Sequence, residues 1–251
     1  MLVAGNWKMH GSQAMVRGLL PGLVSGLGTG VDVVVCPPFP YLSLAVECLR
    51  GSPVSVGAQD VNEASAGAHT GEVSTAMLLD VGCEWVIVGH SERRAGNAED
   101  DRRVAAKAHA ALAAGLRPIV CVGETEEQRQ AGRTFDVVAE QFAAVLEHAG
   151  RELARGIVVA YEPVWAIGTG LTASPGEAQD VHRRLREQLE AFAPGAGAGL
   201  RILYGGSVKA ANAGALFAMP DIDGGLVGGA SLDAGEFAAI CRAAEGTSWK
   251  A

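Results

Sequence analysis

Three side chains in this sequence have the types and settings to do proton chemistry. Glu162 closes an apolar run, Gly156-Ile157-Val158-Val159-Ala160-Tyr161, and is followed at once by Pro163-Val164-Trp165-Ala166-Ile167-Gly168-Thr169-Gly170. The run reads as a buried parallel strand, so the carboxylate leaves the sheet at its C-terminal edge, where α/β folds carry their chemistry. The segment beyond is stiff at Pro163 and pliant at Gly168-Thr169-Gly170, as a closing loop should be, which places Glu162 as a base under a lid. A surface Glu before an ordinary loop is the plainer alternative. His90 follows another apolar run, in Gly89-His90-Ser91-Glu92-Arg93, and Lys8 a third, in Asn6-Trp7-Lys8. The chain uses Arg for 16 of its 20 cations. A Lys at this point suggests a compact ammonium where a guanidinium fork would not fit, with a solvated loop lysine as the alternative. Two further runs end in Gly205-Gly206-Ser207 and Gly228-Gly229. Their N–H groups and helix-start dipoles could cradle a phosphate, although such glycines also serve simple strand-to-helix turns.

These groups meet only if the runs before them are neighbouring strands. Eight strand candidates are legible: Leu2 to Asn6, Val31 to Cys36, Val54 to Ala58, Trp85 to Gly89, Pro118 to Val122, Ile157 to Tyr161, Arg201 to Tyr204 and Ile222 to Val227. Between them lie amphipathic helical patterns. The clearest sets Ala178, Val181, Leu185, Leu189 and Phe192 on one face, with Ser174 as cap, Pro175 at the first position and Glu177 completing a capping box. Another carries Phe135, Val138, Phe142 and Val145, and weaker helices follow Pro40, Ser74 and Lys209. Continuous apolar strands alternating with helices imply a parallel sheet, either open and doubly wound or closed. Eight units favour a closed (β/α)8 barrel. No GxGxxG, GxxxxGK[ST] or GxSxG signature argues for the open alternatives. The glycine-rich stretch Pro194 to Gly199 reads as a helix-to-strand loop, so residues 1–251 read as one domain.

Composition narrows the partners. With 20 basic and 28 acidic residues the net charge is −8, which argues against a nucleic-acid or anionic-membrane surface. The N-terminus lacks the basic and apolar regions of a signal peptide, and no stretch has membrane-spanning length, so a cytoplasmic protein is expected. Cys36, Cys48, Cys83, Cys121 and Cys241 are odd in number and without CxxC spacing, and read as reduced, mostly buried thiols. His10, His109, His148 and His182 show no evident partners and read as helix-surface or loop residues.

The chain resembles the triosephosphate isomerase family from Asn6-Trp7-Lys8-Met9 almost to its C-terminus. The resemblance is carried by Gly67-Ala68-His69-Thr70-Gly71-Glu72, Gly89-His90-Ser91-Glu92-Arg93-Arg94, Pro118-Ile119-Val120-Cys121-Val122-Gly123-Glu124, Ala160-Tyr161-Glu162-Pro163-Val164-Trp165, Tyr204-Gly205-Gly206-Ser207 and Val227-Gly228-Gly229-Ala230-Ser231. It implies interconversion of dihydroxyacetone phosphate and glyceraldehyde 3-phosphate without metal or organic cofactor. Glu162 would remove and return the proton through an enediolate, and His90 would polarise the carbonyl as a neutral imidazole, the role established for this family. Lys8 would stabilise the charge developing on oxygen, with Asn6 helping to position it, while Glu92 and Cys121 would stand behind these groups. The phosphate would meet Gly168, Ser207, Gly228 and Gly229. The lid, Pro163, Val164, Trp165, Ala166, Ile167, Gly168, Thr169 and Gly170, would hinge at Pro163-Val164-Trp165 and Leu171-Thr172-Ala173 and suppress expulsion of phosphate from the enediolate. Leu171 stands where many relatives have Lys, a departure expected to touch closure kinetics.

The resemblance also implies a homodimer in which Thr70, Gly71 and Glu72 reach the partner's site. His69 replaces a common aromatic there and could make association pH-sensitive. Two rival readings remain at this stage: a Schiff-base aldolase on a phosphate-binding barrel, for which Lys107, Lys209 and Lys250 are poorly placed, and an inactive barrel with a binding role.

Overall fold

The computed structural model describes residues 1–168 and 171–245. Eight strands pair in chain order: β1 (Leu2–Asn6), β2 (Asp32–Cys36), β3 (Val54–Ala58), β4 (Trp85–Val88), β5 (Arg117–Val122), β6 (Val158–Tyr161), β7 (Arg201–Tyr204) and β8 (Gly224–Val227). All neighbours are parallel and β8 returns to β1, so the sheet closes on itself as a (β/α)8 barrel. The strands read from sequence are these eight, with ends shifted by one or two residues. β8 begins late because Gly224 holds φ +141° and presses on β1, where a Cβ would lie 1.8 Å from the Leu2 carbonyl oxygen.

Helices lie outside: α1 (Gln13–Gly26), α2 (Leu42–Leu49), α3 (Thr75–Val81), α4 (Ser91–Gly96), α5 (Asp101–Ala114), α6 (Glu126–Gln130), α7 (Thr134–Ala154), α8 (Pro175–Phe192), α9 (Ala210–Phe217) and α10 (Ala234–Glu245). The capping box at α8 forms as its sequence requires: Ser174 Oγ accepts from Glu177 N–H and the Glu177 carboxylate accepts from Ser174 N–H. Ala178, Val181, Leu185 and Leu189 are buried, whereas Phe192 is only partly so. On α7, Val138, Phe142 and Val145 are buried but Phe135 is exposed. Phe135 sits in the first turn, where the Arg184 guanidinium of α8, 4.6 Å from the ring centroid, covers it in place of the core.

The strand period of two divides the barrel's apolar residues into two sets. Leu2, Ala4, Val34, Cys36, Trp85, Ile87, Ile119, Cys121, Val158, Ala160, Leu203 and Leu226 form one cluster, and their alternation along the strands makes them the barrel interior. The intervening residues, such as Val3, Val86, Val120, Val159 and Ile202, belong to the larger cluster shared with the helices. Four of the five cysteines are buried free thiols and Cys48 is partly buried.

The sequence reading of the histidines needs correction, and one lysine has an environment that the sequence did not suggest. His182 is fully buried on the inner face of α8, with Nδ1 3.1 Å from the Asp221 carbonyl oxygen and its ring edge-on to Tyr161. Burial holds its pKa down at about 3, so it is a neutral core histidine. His109 and His148 are partners, stacked edge-to-face at 5.2 Å between α5 and α7. Lys107 is on a helix, as expected, but is wholly buried. Its ammonium lies 2.7 Å from Asp60 Oδ1 and 2.6 Å from Glu99 Oε1, and Arg93 bridges the same two carboxylates.

That buried cluster ties α5 to α4 and to the segment after β3. Substituting Lys107→Met would leave two carboxylates with Arg93 alone and is expected to cost roughly 3–5 kcal/mol of unfolding free energy. Urea denaturation measures it. An unshifted midpoint would show that Arg93 suffices.

Candidate active site

Strand parity sets the mouth of the barrel. Interior residues Leu2 and Ala4 put Asn6 at the next inward position on β1, and Val158 and Ala160 do the same for Glu162 after β6. At the corresponding positions after β5, β7 and β8 stand Gly123, Gly205 and Gly228. The glycines beside Glu162 are sterically required. A Cβ on Gly123 would lie 1.7 Å from the Glu162 carbonyl oxygen, and one on Gly205 would lie 2.9 Å from Glu162 Cγ. On this side of the barrel the last inward layer is therefore the Glu162 carboxylate, the Asn6 amide and the space left by glycines.

That space is a cavity of about 490 Å³, lined by Asn6, Lys8, His10, His90, Glu162, Ile167, Gly168, Ser207, Lys209, Gly228 and Gly229 among others. Glu162 also lines a second cavity behind it, of about 390 Å³, with Ser91, Arg94, Cys121 and Gln141. Its carboxylate, in a residue only 2% exposed, points to the boundary between the two. Oε1 is 2.9 Å from His90 Nε2, and Oε2 accepts from Ser91 N–H at 2.9 Å.

Burial alone would raise the Glu162 pKa, but the adjacent His90 imidazole, the Ser91 N–H and Lys8 together bring it below the ordinary carboxylate value. Burial likewise works against a charged His90, and the Glu162 and Glu92 carboxylates outweigh it, leaving the imidazole pKa above ordinary. His90 caps α4, its Nδ1 accepting from Glu92 N–H at 3.2 Å. That bond orients the ring, and while Nδ1 accepts, the ring proton resides on Nε2, facing Glu162. Cys121 lies beneath, its thiol pushed well above the ordinary value by burial first and by Glu162 second, so it stays neutral.

Lys8 has φ +51°, unusual for a residue with a side chain. The conformation is fixed from several directions. Lys8 N–H donates to Asn6 Oδ1 at 3.0 Å, and Lys8 carbonyl accepts from Gln59 Nε2 at 2.8 Å, a nitrogen that also reaches the Cys36 carbonyl. The ammonium then sits 2.5 Å from Glu92 Oε1. Gln59 carried no signal in the sequence, since its role is to hold backbone carbonyls that are distant along the chain.

In the segment expected to act as a lid, Val164–Ala166 form one 3-10 turn after Pro163, and Gly168 is exposed with φ +73°. Ile167 and Gly168 face the main cavity. Thr169 and Gly170 lie outside the described residues. Trp165 Nε1 donates to Glu124 Oε1 at 2.8 Å, and Ala173 N–H donates to Tyr204 Oη at 3.1 Å. Ser207 lies three residues ahead of α9, which follows Lys209 as its sequence suggests, and faces the cavity. Thr70, Gly71 and Glu72 are exposed, with Glu72 accepting from Asn62 Nδ2 at 2.8 Å. Among the described residues no three His, Cys, Asp or Glu side chains are grouped to hold a metal ion.

A buried carboxylate, an oriented imidazole and a fixed ammonium thus share one cavity with five glycines. The family model for triosephosphate isomerase matches residues 1–244. The chain belongs to the triosephosphate isomerase family. It is 59% identical to the triosephosphate isomerase of Thiobacillus denitrificans and 56% identical to that of Pseudomonas fluorescens, in each case over 97% of this chain and 98% of the relative. The triosephosphate isomerase of Dechloromonas aromatica is 54% identical over the same shares. Family membership brings the reaction class, an aldose–ketose isomerisation.

The Glu162–His90 pair predicts a pH signature. His90 has a raised pKa in the folded state, so its contribution is full below about 6.5 and is lost as pH rises through the folded value; Glu162 has a lowered one, so its contribution is present above about 4.5 and is lost as pH falls. The stability difference between wild type and His90→Gln should therefore peak between these values and shrink on both sides. Urea unfolding across pH tests this, and a flat difference would mean that the pair is not ionised.

Proposed function

We propose that Glu162, His90 and Lys8 carry the interconversion of dihydroxyacetone phosphate and D-glyceraldehyde 3-phosphate, a step that serves glycolysis and gluconeogenesis. The observation that carries the reading is Glu162 itself, a buried, ionised carboxylate at the rim of a cavity that it shares with His90 and Lys8. Ionisation makes it a base, and burial leaves no water to compete for the substrate carbon. Both of its oxygens are engaged with His90 and Ser91, so it must turn from them to reach a bound substrate. That turn frees the His90 Nε2–H to donate to the substrate carbonyl oxygen. It also removes the main influence that raises the His90 pKa, which leaves a neutral donor able to shuttle a proton between the two oxygens.

Lys8 stabilises the enediolate oxygen. Asn6 holds the Lys8 backbone in place and Glu92 steadies its ammonium. The phosphate lies against the backbones of Gly168, Gly228 and Gly229 and against Ser207, all lining one side of the cavity. Proton transfer needs neither metal nor organic cofactor in this scheme. Residues 163–170 close over the site and hold the phosphate while the enediolate exists.

The same reading makes residues 1–251 one domain and the protein a cytoplasmic homodimer. Two features support the dimer: residues 65–72 are exposed throughout, and Met9, adjacent to Lys8, is 94% exposed in the single chain. Covering Met9 with the Thr70 loop of a partner would bury a large apolar side chain and stiffen the segment that presents Lys8.

Coupled turnover of glyceraldehyde 3-phosphate by wild type and Glu162→Asp tests the assignment. Withdrawing the carboxylate by one methylene is expected to lower kcat about a hundredfold or more, with little change in KM. Equal kcat values would remove Glu162 from the role of base.

A further inference from the structure

The two ends of the lid are joined by side chains outside the reaction scheme. At the first end, the edge and face of Trp165 are held separately. Glu124 accepts from its Nε1–H, while the Arg129 guanidinium of α6 lies over the ring, 3.6 Å from the centroid. Arg129 continues onward, its Nη2 standing 2.7 Å from Glu177 Oε1 at the start of α8. The other oxygen of Glu177 accepts from both the N–H and the O–H of Ser174 at 2.8 Å. Ser174 directly follows Ala173, the end of the second hinge, which is itself held by Tyr204.

We propose that Arg129 and Glu177 form a tie that couples the two hinges of the lid, making Arg129 a positioning residue for lid closure. The inference rests on the reading of residues 163–173 as a lid. Arg129 belongs to a short helix pinned by its own capping box between Thr125 and Gln128, so its guanidinium starts from a fixed point. A shift of Trp165 changes its stacking on Arg129, and Arg129 can follow only by straining its contact with the carboxylate that anchors Ser174. The two hinges therefore move together, and a lid closed at one end is favoured to close at the other.

The strength of the tie suits this use. Its charged groups are 34% and 52% exposed, so the ion pair is weak, screened by salt and able to break and re-form in every turnover. The Lys107 cluster, by contrast, is buried and permanent. The Glu177 carboxyl is held below the ordinary carboxylate range, chiefly by the Ser174 N–H and hydroxyl, with Arg129 adding to them, so it remains charged at neutral pH.

Three variants separate the parts. Arg129→Met removes charge and planar stack together. Arg129→Lys keeps the charge but loses the stack on Trp165. Glu177→Gln loses the ion pair yet preserves the capping box, because glutamine serves at that position as well as glutamate. The readout is the partition of the enediolate between isomerisation and loss of phosphate. In the loss, the enediolate oxygen forms a carbonyl, the double bond shifts by one position, the carbon–oxygen bond to phosphate breaks, and inorganic phosphate leaves with an enol that tautomerises to a dicarbonyl. Released phosphate per isomerisation therefore counts the turnovers in which the lid failed to hold.

Arg129→Met and Glu177→Gln are each expected to raise this ratio about threefold to tenfold at low ionic strength, with Arg129→Lys between them and wild type. The Arg129→Met, Glu177→Gln double variant should match the worse single one, since both break one tie. Raising the salt should move wild type toward Glu177→Gln. Thermal unfolding reports any loss of fold separately. Wild type that fails to isomerise the triose phosphates would overturn the function and the lid with it. Active wild type, with folded variants whose release ratio equals its own, would overturn the tie alone. Variants with lower melting temperatures and unchanged ratios would make the pair purely structural, which also overturns it.

Discussion

Everything at the mouth of this barrel follows from the parity of a closed parallel sheet. Once Ala160 faces the axis, Tyr161 must face the helices and Glu162 must return to the axis, one layer above the last packed residues. The same count puts Asn6 above Ala4 and glycines above Cys121, Leu203 and Leu226. A side chain on Gly123 or Gly205 would collide with Glu162, so the carboxylate and the emptiness beside it are one feature. A shift by one residue in any of these strands would exchange the site for core and the core for site.

Placing a carboxylate there creates an electrostatic problem that the neighbouring elements resolve. Charge taken out of water is costly unless it is hydrogen-bonded and paired. Ser91 N–H and His90 both come from the start of α4, and the positive end of that short helix faces the carboxylate. Glu92, one residue further, turns back to the Lys8 ammonium. The three consecutive residues thus hold Glu162 by a backbone N–H, orient an imidazole and anchor a cation, while Arg93 secures them to the buried Lys107 cluster. Lys8 needs its own support, because its backbone lies in a region that L-residues avoid, and Asn6 and Gln59 supply it.

What the sequence revealed and what it hid divide along the same line. The strands, α8 with its capping box and the inward residues at strand ends were legible because they depend on local periodicity and on residues adjacent in the chain. The family motifs identified the groups of the mouth before their geometry was known. The polar contacts made across the fold were not legible. His182 looked like a surface histidine among Arg and Glu, yet it packs against Tyr161 because α8 turns that position inward. Lys107 was legible as a helix residue but not as a buried one, since its partners Asp60 and Glu99 come from two other segments. Phe135 fitted the apolar face of α7 by spacing, but spacing cannot tell that the first turn projects beyond the core. Gln59 and Arg129 were silent for the same reason, and Glu177, legible as part of its capping box, gave no sign of its pairing with Arg129.

The proposed phosphate end of the site shows why this chain, with its net charge of −8, needs no arginine there. Arginine binds a phosphate through a rigid bidentate fork, and a guanidinium facing this small cavity would also meet Glu162 and compete with His90 for it. Backbone N–H groups of glycines offer partial charges that cannot migrate to the Glu162 carboxylate. They also permit approach at the distance of a hydrogen bond, because no Cβ stands in the way. One of these glycines, Gly168, lies on the lid while Gly228 and Gly229 lie on the barrel. In the proposed scheme, phosphate bound between them would draw the lid shut. Under that scheme the interaction farthest from the reacting carbons would be the one that excludes water from them, spent on assembling the site rather than on holding the ground state.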